Sequence, residues 1–298
     1  MKNWMNLSVF QTVTNDFASK GKDHMNILQE IAQRTKQRIE TQKINLPLQR
    51  LMEITSSDAA ANDFPFEKAI RRGETKDVSF ICEIKKASPS KGIIAEDFPY
   101  IEIARDYEAA GAAAISVLTE PYYFKGSDQY LREIANAVSI PLLRKDFTVD
   151  SYMIYEAKML GASAVLLICS ILDQETLTQY IEISHSLGLS ALVEAHDEAE
   201  IKMALNAGAR VIGVNNRDLK TFTIDMNNSI RLRKQTPNHI IFVSESGIQT
   251  AEDVEILRQN KVDAALIGET LMRSPDKKAM LSKLKGNSFT INSSMSTS

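Results

Sequence analysis

The chain is poor in the residues that build covalent or metal-held scaffolds: its 298 residues include two cysteines, four histidines and one tryptophan. Cys82 and Cys169 both lie inside apolar runs and no CxxC pair occurs, which argues against a disulfide framework or thiolate metal site and fits a reducing, intracellular setting. His24, His185, His196 and His239 show no HxxxH or other paired-ligand spacing, so no metal is expected, and His196 reads as the start of a helix. No apolar stretch approaches the roughly 20 residues needed to cross a bilayer; the longest, 164–172, contains Ser170. The first 24 residues carry acids and lack a continuous apolar core, so they read poorly as a secretory signal and are expected to form a disordered leader. A net charge of −3 and a pI near 5.9 argue against a general nucleic-acid binder, although Lys85, Lys86 and Lys91 suit a local anion site. No GxSxG elbow supports a hydrolase triad around Ser246, and no GxGxxG follows the first strand.

What the chain does have is a 44% hydrophobic composition, enough to bury one large core, and a weak internal repeat. Gly111-Ala112-Ala113-Ala114-Ile115, Gly161-Ala162-Ser163-Ala164-Val165 and Gly208-Ala209-Arg210-Val211-Ile212 recur at spacings of 50 and 47 residues, with a degenerate copy at Val262-Asp263-Ala264-Ala265-Leu266. Each copy reads as helix end, turn and buried parallel strand. Filling the gaps predicts strands near 79–84, 113–118, 141–145, 164–169, 191–194, 210–215, 240–244 and 264–268. Helices are expected at 100–110, 127–138, 151–160, 173–187, 197–207, 226–235, 250–259 and 275–284. This alternation predicts an α/β fold, a (β/α)8 TIM barrel over 48–285, with a doubly wound open sheet as the alternative. An amphipathic helical extension is expected over 25–47 and a flexible, Ser- and Asn-rich tail over 286–298.

Several strands end in charged or amide residues straight after apolar runs. Side chains alternate along a strand, so Glu83 and Lys85 share a face with Ile81, Lys145 with Leu143, Glu194 with Leu192, and Asn215 with Val211 and Gly213. In a barrel these groups converge at the C-terminal mouth, where active sites lie. A buried amine near other cations loses proton affinity and a carboxylate in an apolar mouth gains it, which suits acid–base work near neutral pH. Taken singly, Lys145 and Glu194 read equally well as a structural ion pair, and Glu83 and Lys85 as groups that solvate a strand end. Ser244-Glu245-Ser246-Gly247-Ile248 and Ile267-Gly268-Glu269-Thr270 are candidate phosphate cradles after strands seven and eight, or else two ordinary glycine turns. The Lys85–Gly92 loop suits closure over an anion, and the aromatics at 122–124 with Phe147 suit a planar ring, though both patterns also fit plain turns and loop packing.

In order and spacing, Glu83-Ile84-Lys85-Lys86-Ala87-Ser88-Pro89-Ser90, Leu118-Thr119-Glu120, Phe124-Lys125-Gly126-Ser127, Lys145-Asp146-Phe147, Leu192-Val193-Glu194, Asn215-Asn216-Arg217-Asp218-Leu219, Ser244-Glu245-Ser246-Gly247-Ile248 and Ile267-Gly268 resemble indole-3-glycerol phosphate synthase, over roughly residues 25–284. The resemblance implies a lyase that closes the pyrrole ring of 1-(2-carboxyphenylamino)-1-deoxyribulose 5-phosphate with loss of carbon dioxide and water, without metal or organic cofactor. Carried over by motif, Lys145 resembles the general acid of cyclisation and Glu194 the group on the anilino side, with Glu83, Lys85 and Asn215 completing the catalytic set. Arg217 looks placed for the departing carboxylate, Phe124 and Phe147 for the anthranilate ring, and Ser246, Gly247, Gly268, Glu269, Lys85 and Ser88 for the phosphate. The extra N-terminal segment is similar to the family's cover over the mouth, whereas the residues before Met25 depart from sequences that often begin there. The implied partner is an anionic phosphorylated small molecule, with no nucleic acid and no membrane. The implied setting is cytoplasmic, as a monomer or weak homodimer able to associate with neighbouring pathway enzymes, and no fused isomerase or glutaminase domain is expected. Two competing readings are a Schiff-base phosphosugar aldolase using Lys145, and a barrel that binds a phosphorylated metabolite without catalysis.

Overall fold

The computed structural model describes residues 26–56, 63–73, 77–218 and 221–286. The leader expected over 1–24 and, beyond Gly286, the expected tail lie outside the described residues. Eight parallel strands, β1 (Ser79–Ile84), β2 (Ala114–Leu118), β3 (Leu142–Lys145), β4 (Ala164–Ile168), β5 (Ser190–Ala195), β6 (Val211–Asn215), β7 (Ile241–Glu245) and β8 (Ala264–Ile267), pair in chain order. The sheet closes through β1 against β8, with Ser79 opposite Ala264 and Cys82 opposite Ile267. This is the (β/α)8 barrel that the alternation predicts, not the open sheet.

Strand alternation sorts the core into two layers. Ile81, Leu143, Leu166, Leu192, Val211, Val243 and Leu266 fill the barrel interior, while Cys82, Ile84, Val117, Val193, Ile212 and Phe242 pack outward beneath the helices. Both cysteines are free and buried, and burial pushes each thiol up to about 12, so they pack as small apolar groups.

The outer helices are α4 (Tyr100–Ala109), α5 (Asp128–Ala135), α6 (Tyr152–Met159), α7 (Gln174–Ser186), α8 (Glu198–Asn206), α9 (Asn227–Arg233), α10 (Ala251–Gln259) and α12 (Lys277–Leu284), with a short α11 (Glu269–Arg273) after β8. The repeat is the stop signal of α4, α6 and α8. Gly111, Gly161 and Gly208 take φ of +77°, +89° and +82°, and the next amide bonds back to Tyr107, Ala157 and Ala204. In the degenerate copy Lys261 adopts φ +58° in place of glycine and the amide of Val262 still reaches Leu257.

Before the barrel lie α1 (Ile27–Asn45), α2 (Leu48–Ser56) and α3 (Pro65–Ile70). Asn26 starts α1 with a capping box, accepting from the amide of Gln29 at 3.0 Å while its own amide donates to the Gln29 side chain at 3.1 Å. Leu28 and Ile31 of α1, and Phe66 and Ile70 of α3, join the interior cluster, so helical residues outside the repeat add to the barrel core. Neither α2 nor α3 was anticipated, because both are short and their apolar residues meet partners only through packing. Leu51 of α2 buries against Ile39, Tyr152 and Met153. Among the described residues no helix is long and apolar enough to cross a membrane.

Candidate active site

A cavity of about 380 Å³ opens at the C-terminal strand ends. Its floor is Leu166, Ile168 and Leu266 and one wall carries Ile27, Leu28 and Ile31 of α1. All five residues expected to be catalytic, Glu83, Lys85, Lys145, Glu194 and Asn215, line it, as do Ser88, Phe124, Phe147, Arg217, Ser246, Gly247, Gly268 and Glu269.

At its centre Lys145 reaches Glu194 Oε2 at 3.0 Å and, across the barrel, Glu245 Oε2 at 3.4 Å. Burial works against the ammonium, but the charges of Glu194, Glu245 and Glu83 outweigh it, so the proton affinity of Lys145 is raised. The balance is intelligible in magnitude. Burying an ammonium costs several kcal/mol, and one opposite charge about 4 Å away returns about 4 kcal/mol at an effective dielectric near 20. One carboxylate roughly breaks even, and the others decide the sign. This corrects the expectation that a site amine is drawn down towards neutrality: the neighbours of Lys145 are carboxylates, not cations.

Glu245 enters the sequence reading only within the candidate phosphate cradle Ser244–Ile248, and the structure places its side chain beside Lys145. Burial, opposed by Lys145 and reinforced by Glu194 and Glu83, lifts its carboxyl to about 7. Its Oε1 is buried without a hydrogen-bond partner and lies over Gly213, where a Cβ would collide with it. The signal was present: Glu245 follows Ile241 and Val243 in the inward row of β7. Glu194 is held ionised, since Lys145, His196 and the amide of Asn215 outweigh the cost of its burial. Asn215 Nδ2 donates to Glu194 Oε1 at 3.2 Å and its Oδ1 accepts from the Arg217 amide at 3.0 Å, fixing the turn that carries Arg217.

On the other side of the mouth Lys85 donates to Glu83, and the pair lies against Gly268, where any side chain would displace it. Ser246 and Gly247 follow with φ of +67° and +87°, and the buried Asn216 pins the turn by donating to the Ser246 carbonyl at 3.1 Å. The carboxylate of Glu269 meets Arg273 at 3.0 Å, Lys91 at 3.8 Å and Arg217 at 4.0 Å. Ser88 belongs to a two-residue hairpin, Ala87–Ser88 against Gly92–Ile93, in the loop after β1.

Phe124 and Phe147 face each other with ring centroids 6.1 Å apart. Phe124 owes its place to Glu120, a buried carboxylate that accepts the amides of Tyr122, Tyr123 and Phe124 at 2.9, 2.7 and 3.0 Å. Glu120→Ala leaves three amides without that acceptor, each bond to a charged group being worth roughly 1.5–3 kcal/mol. The expected result is a lower melting temperature and faster amide exchange over residues 122–124, because three amides lose their common acceptor. Hydrogen exchange checks it, and unchanged protection of these amides would remove Glu120 as their anchor.

Phe147 follows Asp146, which is buried and accepts from Arg38 of α1 at 2.8 Å and from Thr119 at 2.6 Å. Burial disfavours its charge, but Arg38, Arg144 and the Thr119 hydroxyl keep its carboxyl below the usual range. Arg144 is itself buried, between Asp128 and Glu156 at 2.7 Å each. Among the described residues no group of three or more His, Cys, Asp and Glu is assembled to hold a metal ion.

A (β/α)8 barrel whose mouth holds a buried lysine among three carboxylates, beside an aromatic pair, is an acid–base enzyme by class. A family model described as Indole-3-glycerol phosphate synthase matches residues 28–284. The indole-3-glycerol phosphate synthases of Ruminiclostridium cellulolyticum and Endomicrobium trichonymphae are 59% and 51% identical to it, covering 88% and 87% of this chain and 99% of each relative. The solved 3-hexulose-6-phosphate synthase of Salmonella typhimurium shares the fold with a TM-score of 0.58 at 13% identity, over 70% of this chain and 98% of that one. A tryptophan synthase complex of Pyrococcus furiosus does so at 0.53 and 13%, over the same shares of each chain. The chain belongs to the indole-3-glycerol phosphate synthase family, the carboxy-lyases of tryptophan biosynthesis.

Proposed function

We propose that the chain converts 1-(2-carboxyphenylamino)-1-deoxyribulose 5-phosphate to indole-3-glycerol phosphate by acid–base catalysis, with Lys145 as the acid of ring closure. The observation that carries this reading is the charged lysine, held between Glu194 and Glu245 beside the aromatic pair. Ring closure places negative charge on the ribulose carbonyl oxygen, and a positioned ammonium both stabilises that charge and supplies the proton. Loss of carbon dioxide then restores the conjugated ring. Dehydration needs an acid for the departing hydroxyl and a base for the ring proton, transfers shared in this reading among Lys85, Glu83 and the ionised Glu194, with Asn215 holding Glu194 in place.

The anthranilate ring packs against the wall formed by Phe124 and Phe147. The phosphate takes the backbone N–H groups of Ser246, Gly247, Gly268 and Glu269, with Lys85, which lies against Gly268, and Ser88 beside it. A Schiff-base aldolase fits less well, since its lysine must attack as a neutral amine and Lys145 is surrounded by carboxylates that keep it charged. As to setting, this reading has the enzyme working in the cytoplasm as a monomer or weak homodimer, near neighbouring enzymes of its pathway.

Arg217, whose guanidinium suits a carboxylate grip, is assigned the group that leaves as carbon dioxide. Arg217→Ala is expected to weaken binding of the carboxylated substrate about tenfold more than binding of indole-3-glycerol phosphate. Titration calorimetry with both compounds decides, and equal losses would contradict that role. The function itself is tested by indole fluorescence on mixing the protein with the carboxyphenylamino substrate in EDTA. A rising signal supports the lyase, whereas tight binding without turnover would favour a metabolite-binding barrel.

A further inference from the structure

His196, which the sequence presents only as a helix start, stands two residues beyond Glu194 on the same face of the chain leaving β5. Its Nε2 lies 3.5 Å from Glu194 Oε1, is buried, and has no hydrogen-bond partner. On the far side of the ring Nδ1 lies 3.0 Å from Glu200 Oε2, and the same oxygen accepts the backbone amide of His196 at 2.7 Å. Glu200 is held in turn in the first turn of α8, whose cap Asp197 accepts the Glu200 amide at 2.9 Å. From α9, Asn228 Nδ2 donates to the His196 carbonyl at 3.0 Å. The imidazole is thus fixed at both ends, between a carboxylate in the cavity and one outside it.

We infer that His196 is a positioning residue for the reaction, holding Glu194 ionised and oriented as an imidazolium clamped between Glu194 and Glu200. The tautomer follows from the partners. Glu200 only accepts, so Nδ1 carries a proton, and a neutral ring would then turn a bare nitrogen lone pair towards the carboxylate of Glu194. A proton on Nε2 converts that repulsion into attraction. Glu194 then has a cation on each oxygen, Lys145 on Oε2 and His196 on Oε1, with Asn215 completing Oε1. The charges that bear most on the ring are carboxylates, Glu194 from β5, Glu200 from α8 and, further off, Glu245 from β7, with the Lys145 ammonium of β3 on the far oxygen of Glu194. Burial favours the neutral ring, but the bond to Glu200 and the three carboxylates outweigh it, so the proton affinity of His196 is raised. Exposure fits a link to solvent as well, with the His196 side chain 20% and the Glu194 side chain 3% accessible.

This inference rests on the reading of Glu194 as a working base, and the experiment separates the two. Turnover and KM are measured from about pH 6 to about pH 9 for wild type, His196→Gln and Glu200→Gln, beside Glu194→Gln. In the wild type, kcat should fall on the alkaline side as the imidazolium loses its proton. His196→Gln should lower kcat about tenfold with KM changed less than about twofold, and its alkaline limb should report one titrating group fewer. Glu200→Gln removes the carboxylate that sustains the charge, so the limb should move to lower pH by about one unit while kcat at the acid end stays near wild type. A merely structural histidine would not move that midpoint. Coincident pH profiles for wild type and Glu200→Gln, or a His196→Gln profile with the wild-type limb intact, would overturn the inference while Glu194→Gln remained impaired. An active Glu194→Gln would instead overturn the reading of Glu194.

Discussion

Replacing Lys145 by methionine is expected to lower kcat by about a hundredfold or more, with the barrel still folded. Methionine keeps most of the stem's bulk and removes the cation that bonds both Glu194 and Glu245. In the proposed mechanism the proton donor for the carbonyl oxygen goes with it, and the step left behind is an unassisted attack on a neutral ketone. The same change leaves Glu194 and Glu245 without the ammonium between them, His196 and Asn215 remaining on Glu194 alone. The Glu245 carboxyl, already raised, then loses the charge that opposed its rise, and a group raised in the folded state contributes stability that is full below its unfolded pKa and lost as pH rises through the folded one. The variant should therefore melt close to wild type near pH 5 and progressively lower as pH rises towards 8. Single-turnover indole fluorescence reads the first effect, and circular dichroism melts across pH read the second. Near-normal turnover would remove Lys145 from the chemistry, and a melting gap that narrows with pH would contradict its role as counter-charge.

Glu194→Gln is expected to have the second-largest effect, again about a hundredfold in kcat, because glutamine retains the shape and the bond to Asn215 but cannot take a proton. A second consequence distinguishes this from simple damage. Glu194 is one of the charges that raise the Glu245 carboxyl to about 7, so its neutralisation should lower that value and leave Lys145 bonded chiefly to Glu245. Carboxyl titration by infrared difference spectroscopy should show the group near neutral pH moving to lower pH. Full turnover, or an unmoved carboxyl, would break the proposed coupling between the three residues.

Much of this site was legible in the chain. Strand parity alone predicts that Glu83, Lys85, Lys145, Glu194 and Asn215 end inward rows, and each lines the cavity. The recurring glycines mark the ends of α4, α6 and α8 because a left-handed residue there follows a local rule. The same parity argument, extended to β7, would have placed Glu245 in the mouth. His196 was hidden for a different reason: its partners are a strand residue two positions back and a helix residue four positions on, and only the turn between them brings both to one ring.

The sequence by itself determined the alternation of strands and helices, the faces on which the polar strand ends lie, and the motif order that identifies the family. These are short-range properties, set by backbone period and turn chemistry. Only the tertiary structure decided the charge states. Lys145 stays an ammonium because Glu245 reaches it across the barrel from β7, and Glu245 is drawn towards neutrality by that same closure. Proton affinity sums over every charge within a few ångströms in a medium of low polarisability, and those neighbours come from strands far apart in the chain. The placing of α1 over the mouth is of the same kind, since Arg38 meets Asp146 only once helix and barrel have packed.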